Sequence, residues 1–337
     1  MNAREIIRRN LHLDGPARIG LCFNDGRWND FCHSGLAASP TWTRKTWERD
    51  GFEYYDDEWG NIWFRVVGKS RGGEIYRPAL EKWEALDRLR MPDYDDPRRY
   101  AEAARTFAAA PDRYRLAGLP GFPFAICRYL RKMEQYFQDL LLERDRIDTL
   151  HDRVTSLLER MIGRFADAGA DGVFFCEDWG TQDRLLISPA MWRDIFKPLF
   201  RRLCDKAHSR NLHVLMHSCG YNWDILEDLA EAGVNAFQFD QPGLYGLERL
   251  AAKLQELRVC LFSPVDIQRV LPTGDRARIE AEAERMVRLF AGRHGGFIAK
   301  NYGDLHGIGV DPEWDRWAYD AFFSHQRLIP AVPPAGA

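Results

Sequence analysis

The sequence predicts an α/β fold, a (β/α)₈ barrel with an N-terminal elaboration over its mouth. Three observations carry this. Short apolar runs alternate with helix-length amphipathic runs from about residue 114 to 326. At least six such strand–helix repeats occur, the pattern of a parallel sheet whose crossovers are helices. No Gly-x-Gly-x-x-Gly phosphate loop follows the first strand, which favours a closed barrel over a doubly wound dinucleotide sheet. The 337 residues then form one domain, 1–337, because barrels of this kind run that long as a single unit.

The elements follow in order. Residues 3–12 are polar with helical spacing, and 18–24 ("RIGLCFN") form a buried strand. In 51–68, apolar and polar residues alternate around Trp59-Gly60-Asn61, a hairpin signal. Residues 77–93 predict a helix stopped by Pro92, and 96–110 a second one. Segment 25–110 is thus an elaboration after the first strand, helping to roof the barrel. Strands are expected at 114–119, 171–177, 212–218, 234–240, 258–263 and 296–301. Helices are expected at 126–168, 189–210, 222–233, 246–257, 275–293 and 312–326, and 330–337 as a frayed Pro/Ala tail.

A net charge of −3 and an isoelectric point near 6.3 point to no nucleic-acid or membrane partner. Arg-rich stretches such as 128–132 read as solvated helix faces. The apolar runs are too short to span a bilayer. Seven cysteines, widely spaced and without a Cys-x-x-Cys pair, suit a reducing, cytoplasmic setting, and no signal peptide is evident.

In such a barrel the chemistry stands at the C-terminal strand ends. There the sequence places Asn24, Asp25 and Arg27; Glu177, Asp178 and Trp179; His217 and Cys219; Asp240 and Gln241; Ser263 and Asp266; and Lys300, Asn301, Tyr302, Asp304 and His306. Polar loops explain any one of these, but the whole set less well. His217 and Cys219 are i and i+2, so they share a face and can converge on one ion. Zinc takes such N and S donors, and a catalytic site keeps one position open. Asp240, at the next strand tip, is within plausible reach. Trp59, Trp179 and Tyr302 border loops that can line a pocket. His12, His151, His208, His294 and His325 read as solvated, and His213 as packed.

These residues resemble the uroporphyrinogen decarboxylase superfamily, and within it the cobalamin-linked (corrinoid) methyltransferase branch. The resemblance spans roughly 50–325. It rests on "HSCG" (217–220) followed by "ILEDLAEAGVNAFQFDQP" (225–242), with "DEWGNIWF" (57–64), "EDWGTQDRLLISPAMWRDIFKP" (177–198) and "GGFIAKNY" (295–302). It implies a TIM barrel and one zinc ion held by a His-x-Cys pair and a later Cys near the last strand. His217 and Cys219 match the pair. The later Cys has no counterpart, since none follows Cys260; His306 is the first substitute, with Asp304 and Asp240 as others.

The function so implied is demethylation of a small, O-methylated donor, with transfer to a corrinoid protein that carries cobalamin. Glu177, Asp178 and Tyr302 would act as catalytic groups. Asn24, Arg27, Trp59, Trp179, Gln241 and Asp304 would line the substrate site. Family members are often homodimers. A metal-free lyase or decarboxylase using Asp178, Arg27 and Tyr302 is the alternative. It fits less well, because the decarboxylases carry an Arg-Gln-Ala-Gly-Arg motif after the first strand where this chain has "NDGRWNDF" (24–31).

Overall fold

The structure, a computed structural model, describes residues 1–68, 72–292 and 294–327. In chain order its strands are β1 (Gly20–Cys22), β2 (Phe31–Gly35), β3 (Thr46–Arg49), β4 (Phe52–Asp56), β5 (Ile62–Val66), β6 (Glu74–Arg77), β7 (Tyr114–Gly118), β8 (Gly172–Cys176), β9 (His213–His217), β10 (Ala236–Gln238), β11 (Cys260–Ser263) and β12 (Phe297–Lys300). Eight of them form one sheet in the order β1-β12-β11-β10-β9-β8-β7-β2, with every ladder parallel. The sheet curls into a nearly closed barrel, as the alternation predicts. Its helices are α1 (Ala3–His12), α2 (Ala101–Ala108), α3 (Pro123–Arg131), α4 (Met133–Leu142), α5 (Arg144–Asp167), α6 (Pro189–His208), α7 (Leu226–Ala232), α8 (Leu247–Leu257), α9 (Arg276–Met286) and α10 (Pro312–Ser324).

The eighth strand is β2, which lies inside the segment expected to be elaboration. It follows β1 after one turn with no intervening helix. The seam is closed locally: Leu21 N donates to Asp30 Oδ2 (2.9 Å), Asp30 N donates to Leu21 O (2.8 Å), and Cys22 bridges Asn29. Arg18 neutralises the buried Asp30 carboxylate at 2.6 Å. The N-terminal end of the barrel is plugged by α1, whose Ile7 and Leu11 pack with Leu116, Leu215 and Ile298.

The expected hairpin around Trp59-Gly60-Asn61 is β4–β5, the centre of an antiparallel sheet β3-β4-β5-β6. That sheet leans on α3 through Trp63 against Tyr129, with ring centroids 4.6 Å apart. Three expectations need correction. The helix at 77–93 is only a 3₁₀ turn, Trp83–Arg88. Leu80 N donates to Leu130 O, and Arg131 Nη1 donates to the carbonyls of Leu80 and Glu81, so this backbone is paired with α3. The helix at 126–168 is three helices, broken at Lys132, where φ is +65°, and at Glu143. Arg131 and His151 are not solvated: Arg131 is buried against Asp139 at 2.6 Å, and His151 is buried with its Nε2 2.6 Å from the Tyr136 hydroxyl. Helical periodicity at these positions serves inter-helix packing. The tail at 330–337 lies outside the described residues.

Candidate metal centre

The ends of β8 and β9 are tied together beyond the last ladder residue. In register, Cys176 stands across from His217. Past the strands, Glu177 N donates to His217 O (2.9 Å), Trp179 N donates to Ser218 Oγ (3.2 Å), and Cys219 N donates to Asp178 Oδ1 (2.8 Å). The two loops then touch backbone to backbone. A Cβ on Gly180 would lie 2.4 Å from Tyr221 N, and one on Gly220, whose φ is +78°, would lie 2.2 Å from Gly180 O. Only glycine fits there, so the Gly of "HSCG" sets how closely the two loops approach.

This brings Asp178, His217 and Cys219 together, with one ligand atom from each inside a mutual 4.8 Å. His217 Nε2 is 3.3 Å from Cys219 Sγ and 3.6 Å from Asp178 Oδ1. An ion bonded tetrahedrally at about 2.0–2.3 Å separates its ligands by roughly 3.3–3.8 Å. Both distances from His217 therefore fit a zinc-like ion, and the Asp178–Cys219 pair lies within the 4.8 Å bound.

The imidazole is also held in the tautomer a metal needs. Gln238 Nε2 donates to Asp240 Oδ1 at 2.7 Å, which turns Gln238 Oε1 toward His217. Oε1 can only accept, so His217 Nδ1, 2.7 Å away, carries the proton and donates it. Nε2 keeps its lone pair and points it at the donors. A ligating histidine whose other nitrogen is fixed by a hydrogen bond is the usual supporting arrangement at metal sites. Behind it, Lys300 Nζ binds Asp240 Oδ1 at 2.9 Å. Burial opposes ionisation of Asp240, but Lys300, by its charge and its hydrogen bond, and Gln238, by its hydrogen bond, hold its carboxyl below the ordinary range.

Of the three donors, His217 lines a cavity of about 700 Å³ at the C-terminal strand ends; Asp178 and Cys219 cluster with it outside that lining. Its floor is apolar, with Leu116, Phe174 and Phe262; its rim is polar, with Asn24, Asn301, Tyr302 and Asp304. Cys22, His33 and Cys176 also line it. Burial pushes the Cys219 thiol up to about 12 and the Cys176 thiol up to about 11, with Asp178 and Asp240 adding to both. Both thiols are thus protonated at neutral pH without an ion.

The remaining expected residues separate into groups. Asn24, Asp240, Tyr302 and Asp304 line the cavity with His217. Glu177 does not: its side chain is fully buried, with Oε1 accepting from Ala125 N at 3.0 Å and Oε2 unpartnered among the described residues. Burial pushes its carboxyl up to about 8, so it stands neutral in the wall. Trp179 is buried among Phe124, Trp192, Phe196 and Phe200. Trp59 is buried against Tyr94 in the elaboration. Arg27 is paired with Asp315 at 2.7 Å, outside the cavity lining. Gln241 is outside it as well. His306 is exposed on a 3₁₀ turn and is not among the clustered donors; Asp178 stands there instead. Gln238 and Lys300 had no assigned role. The available signal was that Gln238 precedes Asp240 by two on one strand, the same face logic that joins His217 to Cys219.

Residues 66–313 match the family described as Uroporphyrinogen decarboxylase (URO-D), and this chain belongs to it. No curated protein matches the sequence. Among solved structures, a methyltransferase from Methanosarcina mazei is similar at 18% identity and TM-score 0.62, covering 79% of this chain and 77% of that one. The catalytic domain of Bacillus sp. JAMB-750 GH26 endo-β-1,4-mannanase is similar at 12% identity and TM-score 0.47, over 99% of this chain and 94% of that one. The likeness to the Methanosarcina mazei protein shows the fold alone. Among the described residues, no helix is long and apolar enough to cross a membrane.

Proposed function

We propose that the chain is a zinc-dependent methyltransferase that demethylates a small, O-methylated compound and delivers the methyl group to a corrinoid protein. The observation that carries this is the Asp178–His217–Cys219 cluster, with the His217 Nε2 lone pair turned toward Cys219 and Asp178 and His217 itself lining a cavity at the barrel mouth. Methyltransferase chemistry on this barrel has a precedent in the Methanosarcina mazei protein.

His217, Cys219 and Asp178 would hold the ion, and Gln238 and Asp240 would orient His217. Zinc, when bound, supplies Lewis acidity to the oxygen that the methyl group leaves. The chain's own residues do the rest. Leu116, Phe174 and Phe262 exclude water from the apolar part of the donor. Tyr302, Asn301, Asn24 and Asp304 offer the rim hydrogen bonds that orient it. The corrinoid protein docks over the open mouth, since its cofactor must reach the methyl group in line. A decarboxylase reading lacks a basic cleft: among the described residues lining the cavity the cation is Lys300, already paired with Asp240.

The test combines metal-reconstituted protein, a reduced corrinoid protein and a panel of methoxylated small molecules, with the cobalt absorbance followed over time. Methyl transfer from at least one donor, abolished by a chelator and restored by zinc, is the expected result. Zinc-loaded protein that transfers no methyl group but releases carbon dioxide from a carboxylated compound would overturn it.

A further inference from the structure

A catalytic zinc site has three protein ligands and one position for substrate or water. If Asp178, His217 and Cys219 are all permanent, only one is a thiolate. The same wall carries another group of ligand chemistry. Cys176 and Asp178 are i and i+2 at the end of β8; His217 and Cys219 are i and i+2 at the end of β9, and Cys176 is paired with His217 in register. Side chains two apart share a face, and neighbouring strands lie about 4.8 Å apart. The four residues thus form a two-by-two array at the two strand ends; the ligand atoms of Asp178, His217 and Cys219 lie within a mutual 4.8 Å, and the Cys176 sulfur stands outside that group.

Cys176 lines the same cavity as His217, and its thiol makes no hydrogen bond to another described residue. Asp178, by contrast, spends Oδ1 on the Cys219 backbone amide. A cysteine needs only rotation about χ1 to change what its sulfur faces.

We propose that Cys176 is a metal ligand, the second thiolate of the centre. Cys176, His217 and Cys219 are then the permanent ligands, and Asp178 occupies the position that exchanges with substrate. This rests on the metal reading above. It places the second sulfur on β8 and not in the loop after the last strand. Binding of a divalent ion breaks two S–H bonds, forms two metal–sulfur bonds and releases two protons to the buffer; no electron changes hands.

The full chain is freed of metal, loaded with one equivalent of zinc, and its zinc X-ray absorption fitted for sulfur ligands. Two sulfurs near the roughly 2.3 Å of a zinc–thiolate bond are expected, and this needs no variant. Cobalt(II) is loaded in parallel. Its thiolate charge-transfer band should fall by about half in both Cys176→Ala and Cys219→Ala, in line with one sulfur lost from two. Cys22→Ala, on another part of the cavity wall, should keep the full band. If Cys176→Ala fails to fold, Cys176→Ser preserves the size of the side chain, and the wild-type sulfur count still decides. A single sulfur, or an undiminished band in Cys176→Ala, overturns the proposal and leaves the metal reading standing. Wild-type protein that retains neither zinc nor cobalt overturns the metal reading itself.

Discussion

β9 begins with His213 and ends with His217, and the two imidazoles meet opposite fates. At the lower end, His213 is tied on both nitrogens: Nδ1 lies 2.8 Å from the Tyr114 hydroxyl and Nε2 lies 2.9 Å from His12 Nε2. Burial pushes its pKa down to about 4. Nearby, Asp171 is held by Arg4 and Arg115. Every strong group there has a partner. At the upper end, Gln238 fixes one nitrogen of His217 and leaves the other facing a thiol, a carboxylate and a cavity. One residue type on one strand is therefore either structural or available for chemistry, depending on whether its second nitrogen is spoken for. Barrels keep stability and reactivity at opposite ends in this way.

The sharpest way to break the contrast is Cys219→Ala. It should weaken zinc binding by more than the ~10–100-fold that supporting residues command, read by competition with a chelator. Retained affinity would remove Cys219 from the ligand set. Gln238→Leu comes next. It removes the group that fixes the His217 tautomer, and affinity should fall about 10–100-fold, with unchanged far-ultraviolet dichroism.

The lower histidine predicts a stability effect of its own. Folded His213 stays neutral down to about pH 4, whereas the unfolded chain takes up that proton below about pH 6.5. The unfolded state thus binds more protons in that window, and stability must fall as pH drops from about 6.5 toward 4. His151, pushed down to about 3 by burial, adds to the same slope. Denaturant midpoints measured across the window should fall less steeply in His213→Asn; an unchanged slope would remove His213 from the account. The smallest effect belongs to His306→Ala. On an exposed turn away from the donors, it should change zinc affinity by less than about twofold, as surface substitutions usually do. A large loss would return the loop after β12 to the ligand set.

How far the sequence carries can be judged on these residues. The barrel was legible because strand runs such as Val214–Met216 are continuously apolar and the helices between them are amphipathic. β2 was not legible. "FCHSG" is short and half polar, and it follows β1 with no helix to mark a repeat. His217 and Cys219 were legible as a same-face pair. Their partner was harder to see: the sequence points to His306 as the donor and to Asp178 as a catalytic group, because the strand end alone does not say which loop folds onto the pair. What separates them is the backbone contact of Gly180 with Gly220, which draws the loop after β8 onto the loop after β9. Glu177 shows the same limit from the other side. Cys176 faces the cavity, so Glu177, the next residue, faces the wall, and a one-residue difference turns an expected catalytic carboxylate into a buried, neutral one.

The strand order also has a consequence for how the molecule is made. Asp178, His217, Cys219, Gln238 and Asp240 all belong to β8, β9 and β10 or the turns after them, neighbours in sequence and in the sheet. Lys300, which neutralises Asp240, comes sixty residues later, and β1 waits for the same β12 as its partner. At a synthesis rate of roughly 5–20 residues per second, that interval lasts on the order of 3–12 s. During it the nascent chain carries the whole donor set, with Asp240 still lacking its ammonium and the barrel still open on one side. If the proposed centre binds zinc, the ion can enter before the barrel closes.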